Sequence, residues 1–460
     1  MFMDIGKMFI EEQSRTYGTN HYYTADTFNE NEPPSNDSLY LNNVSQKVYR
    51  SMASADPEAT WIMQGWLFYH DRHFWKEKEI NALLNAVPDN RMIILDLWSE
   101  RFPIWNRTNA YGGKPWIWNM LQNFGQNITL SGRMNAVSQD PAIALRNPAS
   151  GKMMGIGLTM EGIEQNPVMF DLMWENVWRD TPIDLDNWLK EYAFRRYGKK
   201  NENAEEAWKI LSRTVYEDSL TNGGPESIIT GRPIFVKNPG GTTTTRLPYD
   251  NSELVKAWNW MITASEDLKN SDGFQYDLVD ITRQVLANYA SEIQQQFAKN
   301  YEEKNRKSFT ENSKRFSELI SDLDELLATR KEFMLGLWLE SAKAIGDTPE
   351  EKKLYEINAR NLLTTWGNKD CKIHDYACRQ WSGMMNGFYK PCWENFFLQV
   401  SEDMKTGKKF DQEAFNSRSK DWEWAWAWIH QNEIYPVEPD GNAVEIAMKM
   451  YQKYKPLIDK

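Results

Sequence analysis

Two stretches carry carboxylates where a β/α chain would place its chemistry. The first, Tyr22-Tyr23-Thr24-Ala25-Asp26-Thr27-Phe28-Asn29-Glu30, opens as an aromatic, strand-forming run. It then turns polar, and Glu30 arrives just before the turn signal Glu32-Pro33-Pro34-Ser35. The second, Gly155-Ile156-Gly157-Leu158-Thr159-Met160-Glu161-Gly162, repeats the design: an apolar strand, a glutamate, a helix-opening turn. The C-terminal ends of parallel strands are where such a scaffold assembles its catalytic groups. Paired carboxylates there point to glycosidic bond hydrolysis. One carboxylic acid protonates the leaving oxygen while a carboxylate attacks the anomeric carbon. The two lie roughly 5–5.5 Å apart in retaining enzymes and roughly 6.5–9.5 Å apart in inverting ones. With 65 acidic residues the chain offers many pairs, and the rival reading makes both glutamates solvated loop residues.

Asp96 and Glu100, in Leu95-Asp96-Leu97-Trp98-Ser99-Glu100, are the next candidates. Asp96 sits at a strand end and could hydrogen-bond a sugar hydroxyl or, equally, cap the turn that follows. Trp66 and Trp118 end or lie in strands and could wall a sugar pocket or fill a barrel core. Asn119, Gln122 and Asn123 stand at a strand-to-helix junction, able to cap or to bind. The five histidines form no HExxH or paired His-carboxylate pattern, so a metal centre is not expected. A serine-nucleophile elbow, a phosphate-binding GxxxxGK[ST] loop and a GxGxxG turn are all missing, which removes the usual support for serine hydrolase and nucleotide chemistry. Cys371, Cys378 and Cys392 lack metal spacing, and an odd count cannot complete a disulfide framework.

Those residues need a scaffold. From residue 1 to about 198 the pattern alternates: helix 1–17, strand 21–26, helix 40–55, strand 60–66, helix 77–86, strand 92–97, strand 116–120, a strand around 155–160 and helix 166–178. Near-continuous apolar strands between helices imply a parallel sheet. Five strands are countable where a closed barrel has eight. The first residues read as the middle of an amphipathic helix, and the expectation is that about three strands precede residue 1. After Tyr197-Gly198 the period is helical, with long segments at 203–219, 251–270, 276–304, 309–345, 349–366, 375–403, 411–430 and 442–454. A polar loop lies near 237–245. The fold class expected is therefore α/β plus all-α: a partial (β/α)8 barrel over 1–198 followed by an all-α domain over 199–460. The cluster Trp422-Glu-Trp424-Ala-Trp426-Ala-Trp428 reads as a helix buried on more than one face.

A formal charge of −12 argues against nucleic acid and anionic membrane as partners. The sequence contains no apolar run of transmembrane length. Met1–Phe9 lacks the apolar core of a signal peptide. Tryptophan is abundant, 21 residues in 460, and indole faces suit sugar rings as well as protein cores.

Several of these stretches together carry a resemblance. Tyr23-x-x-Asp26-Thr27-Phe28-Asn29-Glu30-x-x-Pro33-Pro34 resembles a segment of the α-N-acetylglucosaminidase family, glycoside hydrolase family 89. The likeness continues through Trp61-Ile-Met-Gln64-Gly65-Trp66, Leu95-Asp96-Leu97, Trp116-Ile-Trp118-Asn-Met-Leu121-x-Asn123-Phe124-Gly125 and Gly157-Leu-Thr-Met-Glu161-Gly162. It reaches Tyr276-Asp277-Leu-Val-Asp280-Ile-Thr282-Arg283-Gln284 and Ala359-Arg360-Asn361 in the helical half. The resemblance implies a retaining exo-hydrolase of terminal α-linked N-acetylglucosamine that needs no cofactor. By it Glu30 matches the general acid/base and Glu161 the nucleophile, Asn29 looks like the Asn of the Asn-Glu pair of many retaining barrel glycosidases, and Tyr23, Trp66, Trp118 and Asn123 are expected near the sugar, beside the strand-end candidate Asp96. It also implies that a small α/β domain and the opening barrel strands stand upstream. Full-length members are secreted, periplasmic or lysosomal. The alternative is a truncated, inactive carbohydrate-binding fragment.

Overall fold

The computed structural model describes residues 1–122, 124–162, 164–217, 226–237, 244–429 and 433–459. The expected loop at 237–245 therefore lies largely outside the described residues, as does Asn123. The chain forms two compact units. The first comprises Met1–Gln122, Arg133–Met160 and Val168–Leu185; the second comprises Asn123–Gly132, Glu161–Pro167 and Asp186–Lys460.

The first unit is built on five parallel strands in sequence order: β1 (Tyr22–Thr24), β2 (Thr60–Gln64), β3 (Met92–Asp96), β4 (Pro115–Gln122) and β5 (Lys152–Met160). Sequential parallel neighbours require a crossover after each strand; helices supply it after β1, β2 and β4, and a loop with short turns at Trp105–Arg107 and Asn109–Gly112 after β3. Helix Ser38–Ala53 starts where the Asp37 carboxylate accepts the Tyr40 N–H at 2.9 Å, and buries Leu41, Val48 and Met52. Helix Glu77–Leu84 buries Ile80, Leu83 and Leu84. Strand β3 is apolar on both faces because it is covered on both, the usual state of a central parallel strand. Between β4 and β5 the register slips by one residue at Trp116/Ile117. Further along that pair, Gly157 faces Asn119 so closely that a Cβ would lie 2.1 Å from its Oδ1, so only glycine fits. The first helix, Phe2–Tyr17, ends at Gly18 as its pattern predicts, yet leaves Phe2, Ile5, Met8 and Phe9 more than 60% exposed.

The second unit is helical among its described residues. Its axis is Asp272–Glu302, a 31-residue helix capped by Ser271 and buried without a break from Tyr276 to Ala290. A helix covered on all sides must pair its polar groups. Asp280 holds Arg283 at 2.6 Å, and Asp277 takes Arg196 at 2.6 Å and the Tyr197 hydroxyl at 2.8 Å. Phe297, Phe309, Phe316, Trp393, Phe396 and Phe397 form one aromatic core. In helix Gln412–Trp428, Trp426 and Trp422 pack on Phe388, while Trp424 stacks on Trp428, which is 38% exposed.

Two expected helices are broken. The segment read as 309–345 is Arg306–Leu327 and Leu335–Lys343, separated by a short turn at Lys331–Phe333. The segment read as 375–403 becomes helical only at Met385–Tyr389, a widened turn leading into Lys390–Thr406. One cause serves both. The backbone around Met334 pairs with that around Ser382, through Leu335 N to Ser382 O at 3.1 Å and Ser382 N to Phe333 O at 2.8 Å. Backbone groups spent on a long-range bridge cannot close helical turns. No helix among the described residues is long and apolar enough to cross a membrane.

Candidate active site

The loop after β1 is shaped by its backbone. Phe28 and Asn29 both adopt left-handed conformations, φ 73° and 41°, which turn the chain sharply just before Glu30. Such conformations cost energy in non-glycine residues and persist where surrounding contacts impose them. Here Phe28 packs 6.1 Å from Trp75, and the Asn31 N–H bonds to Phe28 O at 2.6 Å. The loop's base is tied to β2 by Trp61 Nε1, which donates to Ala25 O at 3.0 Å, and by a Gln64–Asp26 hydrogen bond.

Glu30 is exposed, and its Oε1 accepts Trp66 Nε1–H at 2.9 Å. Trp66 does not end β2 as the sequence suggests; it opens the short helix Trp66–His70 one residue after Gly65. Its ring lies 5.0 Å from Tyr69 and 6.0 Å from Trp98, an aromatic wall beside Glu30. Asn29 is exposed. Tyr23 is buried, and its hydroxyl bonds Asp56 Oδ2 at 2.8 Å and Thr19 Oγ1 at 2.6 Å, so it braces the foot of β1.

Asp96 is fully buried. Its carboxylate accepts the N–H groups of Ile104 (3.0 and 3.1 Å) and Trp105 (2.8 Å), which is the turn-holding role among its two candidate ones. Burial pushes its carboxyl up to about 6, against the pull of those N–H donors. Trp118, its neighbour in the β3–β4 register, is 1% exposed and occupies the core. Asn119 is buried and donates to Thr159 Oγ1 at 2.8 Å. Glu100 is buried too, accepting Leu121 N–H at 2.9 Å. Desolvation raises its carboxyl well above the ordinary range, partly offset by Arg133.

Glu161 directly follows β5 and is exposed. Its Oε2 accepts the Gly125 N–H at 2.6 Å. Gly125 sits at φ 59° and Gln126 at φ 63°, and a Cβ at Gly125 would stand 2.3 Å from Tyr376 O. Glycine there lets the turn approach both Glu161 and the later chain. Gln126 O accepts Gln165 Nε2–H at 2.8 Å, and its Oε1 takes an N–H from Arg379. Arg379, Gln126 and Tyr376 escape a sequence reading because nothing local links residues 125 and 376. Among the described residues no group of three or more His, Cys, Asp or Glu side chains is arranged to hold a metal.

Comparison with known proteins gives a consistent result. The model of the alpha-N-acetylglucosaminidase (NAGLU) TIM-barrel domain matches residues 1–180, and that of the alpha-N-acetylglucosaminidase C-terminal domain matches residues 188–453. Human alpha-N-acetylglucosaminidase is 38% identical over 458 residues, an alignment that covers 99% of this chain and 61% of the human protein. A family 89 glycoside hydrolase from Clostridium perfringens, solved with PUGNAc, superposes with a TM-score of 0.89 at 31% identity, covering 100% of this chain and 52% of that one. A form of the clostridial enzyme with two Glu→Gln substitutions, in complex with its substrate GlcNAc-α-1,4-galactose, gives 0.88 at 30% identity, with the same coverage. The chain thus spans about three-fifths of the human relative and half of the clostridial one.

Proposed function

We propose a function from one premise: this chain belongs to the alpha-N-acetylglucosaminidase family, whose C-terminal-domain model alone covers more than half of it. The function is hydrolysis of terminal α-linked N-acetylglucosamine with retention at the anomeric carbon. Glu161, ionised, attacks C1 while Glu30, protonated, gives its proton to the leaving oxygen; Glu30 then serves as base for water. Loss of the Glu161 charge on glycosylation is what allows one residue to be acid first and base second. The observation that carries the reading is shared by the two glutamates. Each is exposed after a parallel strand and is described with a single N–H donor, so its reactive oxygens remain available.

The rival in which the substrate's own acetamide attacks is disfavoured on two counts. It requires a carboxylate beside the acid/base to orient the amide, and Asn29 stands there. In an α-glycoside the acetamide and leaving group also share a face, which bars backside attack. A second reading, binding without turnover, draws on one feature. Helix Phe2–Tyr17 and β1 line an open groove of about 910 Å³ with Phe2, Ile5, Phe9 and Tyr22.

Proton NMR of the chain with an aryl α-N-acetylglucosaminide separates these readings. The α-anomer should appear first. Early β-anomer would sink the Glu161 assignment, and binding without release would favour the second reading. Glu161→Ala should lose turnover and regain it with azide as a β-glycosyl azide.

A further inference from the structure

Arg379 is 2% exposed and, among the described residues, makes no ion pair with a carboxylate. Glu164 attracts it only through space, and burying a guanidinium without a hydrogen-bonded counter-charge is unfavourable unless other hydrogen bonds and stacking compensate. Its compensation is partial, since Nε and Nη1 have no hydrogen-bond partner among the described residues, but it is specific. The guanidinium lies over the Trp381 ring, 4.4 Å from its centroid, and Trp381 packs 5.8 Å from Trp338. The stack fixes the plane of the fork, and from that plane Nη2 donates to Gln126 Oε1. Burial draws the guanidinium down to about 9, which still leaves it charged at neutral pH.

Gln126 occupies the turn that faces Glu161. Its carbonyl accepts Gln165 Nε2–H at 2.8 Å, and its neighbour Gly125 donates to Glu161 Oε2 at 2.6 Å. Gly125 takes its positive φ freely, but Gln126 at φ 63° does not, so the turn depends on contacts that hold Gln126. The backbone of Tyr376 presses on Gly125 from the same segment that carries Arg379. The later segment thus grips the turn twice, once by backbone approach and once by a charged hydrogen bond.

We propose that Arg379 is a positioning residue for Glu161: through Gln126 it fixes the turn whose Gly125 amide holds the carboxylate in place. Arg379 touches no reacting atom and acts on the chemistry only through the orientation of Glu161. The inference rests on the reading of Glu161 as nucleophile, and the two fail in different ways. Glu161→Ala at full activity sinks that reading whatever Arg379 does. An inert Arg379 beside an essential Glu161 sinks only the present inference.

The test uses Arg379→Met, Arg379→Lys, Gln126→Met and the Arg379→Met/Gln126→Met double variant in the full chain. Arg379→Met should lower kcat about tenfold or more with KM within about threefold, because the lost interaction orients the attacking group rather than binding substrate. Arg379→Lys, which keeps a donor for Gln126, should recover a measurable part of that loss. Gln126→Met should reproduce the effect, and the double variant should be no worse than the poorer single one, as for residues acting through one contact. Independently of turnover, amide exchange at Gly125 should quicken about tenfold in Arg379→Met and Gln126→Met while exchange in helix Asp272–Glu302 is unchanged. Should Arg379→Met fail to fold, Gln126→Met carries the same two readouts. Unaltered Gly125 exchange, a kcat within about threefold of wild type, or losses that multiply in the double variant would each overturn the proposal.

Discussion

Asp96 and Glu30 are two carboxylates of one sheet with opposite fates. Asp96 closes β3, and the chain after it doubles back, so that Ile104 and Trp105 present backbone N–H groups at 2.8–3.1 Å. Glu30, beyond β1, meets one indole N–H at 2.9 Å and stays in solvent. The difference lies in the returning loop, not in the strand. A strand-end carboxylate becomes structural when backbone donors are folded onto both its oxygens, and stays available when a single side chain reaches one. Glu161 falls on the available side: its described donor is one amide, Gly125 N–H.

The comparison can be broken most directly by substituting both residues with alanine. Glu30→Ala should cost about 10²–10⁴-fold in turnover of a substrate with a poor leaving group, the usual weight of a general acid. Its unfolding free energy should move by no more than about 0.5 kcal/mol, as for surface substitutions. Asp96→Ala should do the reverse in origin, stranding two buried N–H groups at about 1–3 kcal/mol each. Urea titration with parallel turnover assays checks both. Wild-type stability with lost turnover in Asp96→Ala would place Asp96 with the reactive carboxylates and dissolve the distinction.

A pH series sharpens the same contrast. The carboxyl of Asp96 is raised to about 6 in the folded protein, above the roughly 3.9 of an unfolded Asp. Between those values the folded state holds the extra proton, so stability from this residue is complete below about pH 4 and is lost as pH rises through 6. Asp96→Asn removes the titration. Relative to that variant, the wild type should lose about 2 kcal/mol between pH 4 and 7, read from urea midpoints at the two pH values. A constant difference would mean that Asp96 stays ionised when buried.

Much of this scaffold was legible in the sequence because the relevant signals are local. Strands Met92–Asp96 and Pro115–Gln122 read as 92–97 and 116–120 because covered parallel strands are continuous apolar runs. Helices Asn251–Leu268 and Asp272–Glu302 read as 251–270 and 276–304 from their period, the second starting four residues late because its Ser271 cap goes unread. What stayed hidden depends on distance along the chain. The breaks near 330 and 380 arise from the Met334–Ser382 bridge, which leaves no local periodic trace. Both roles of Asp96 were open until the chain was seen to return eight and nine residues later. The partner of Glu161 comes from 36 residues away, and that of Gln126 from 253. The sequence places Trp66 one element too early, because apolar residues stand on both sides of Gln64-Gly65 and periodicity cannot mark where a strand gives way to a short helix.

The smallest effect expected comes from the donor that distinguishes Glu30. Trp66→Phe removes the indole N–H but retains a ring to pack on Tyr69 and Trp98, now 5.0 and 6.0 Å away. An exposed carboxylate that loses one hydrogen bond is replaced there by water, so stability should change by less than about 0.5 kcal/mol. Orientation of the carboxyl is what suffers, and kcat should fall about three- to tenfold. A loss as deep as that of Glu30→Ala would mean the indole face meets the sugar itself, as an aromatic wall in a glycan site would. No loss would mean that Glu30 needs no fixed donor, and the contrast with Asp96 would then reduce to exposure alone.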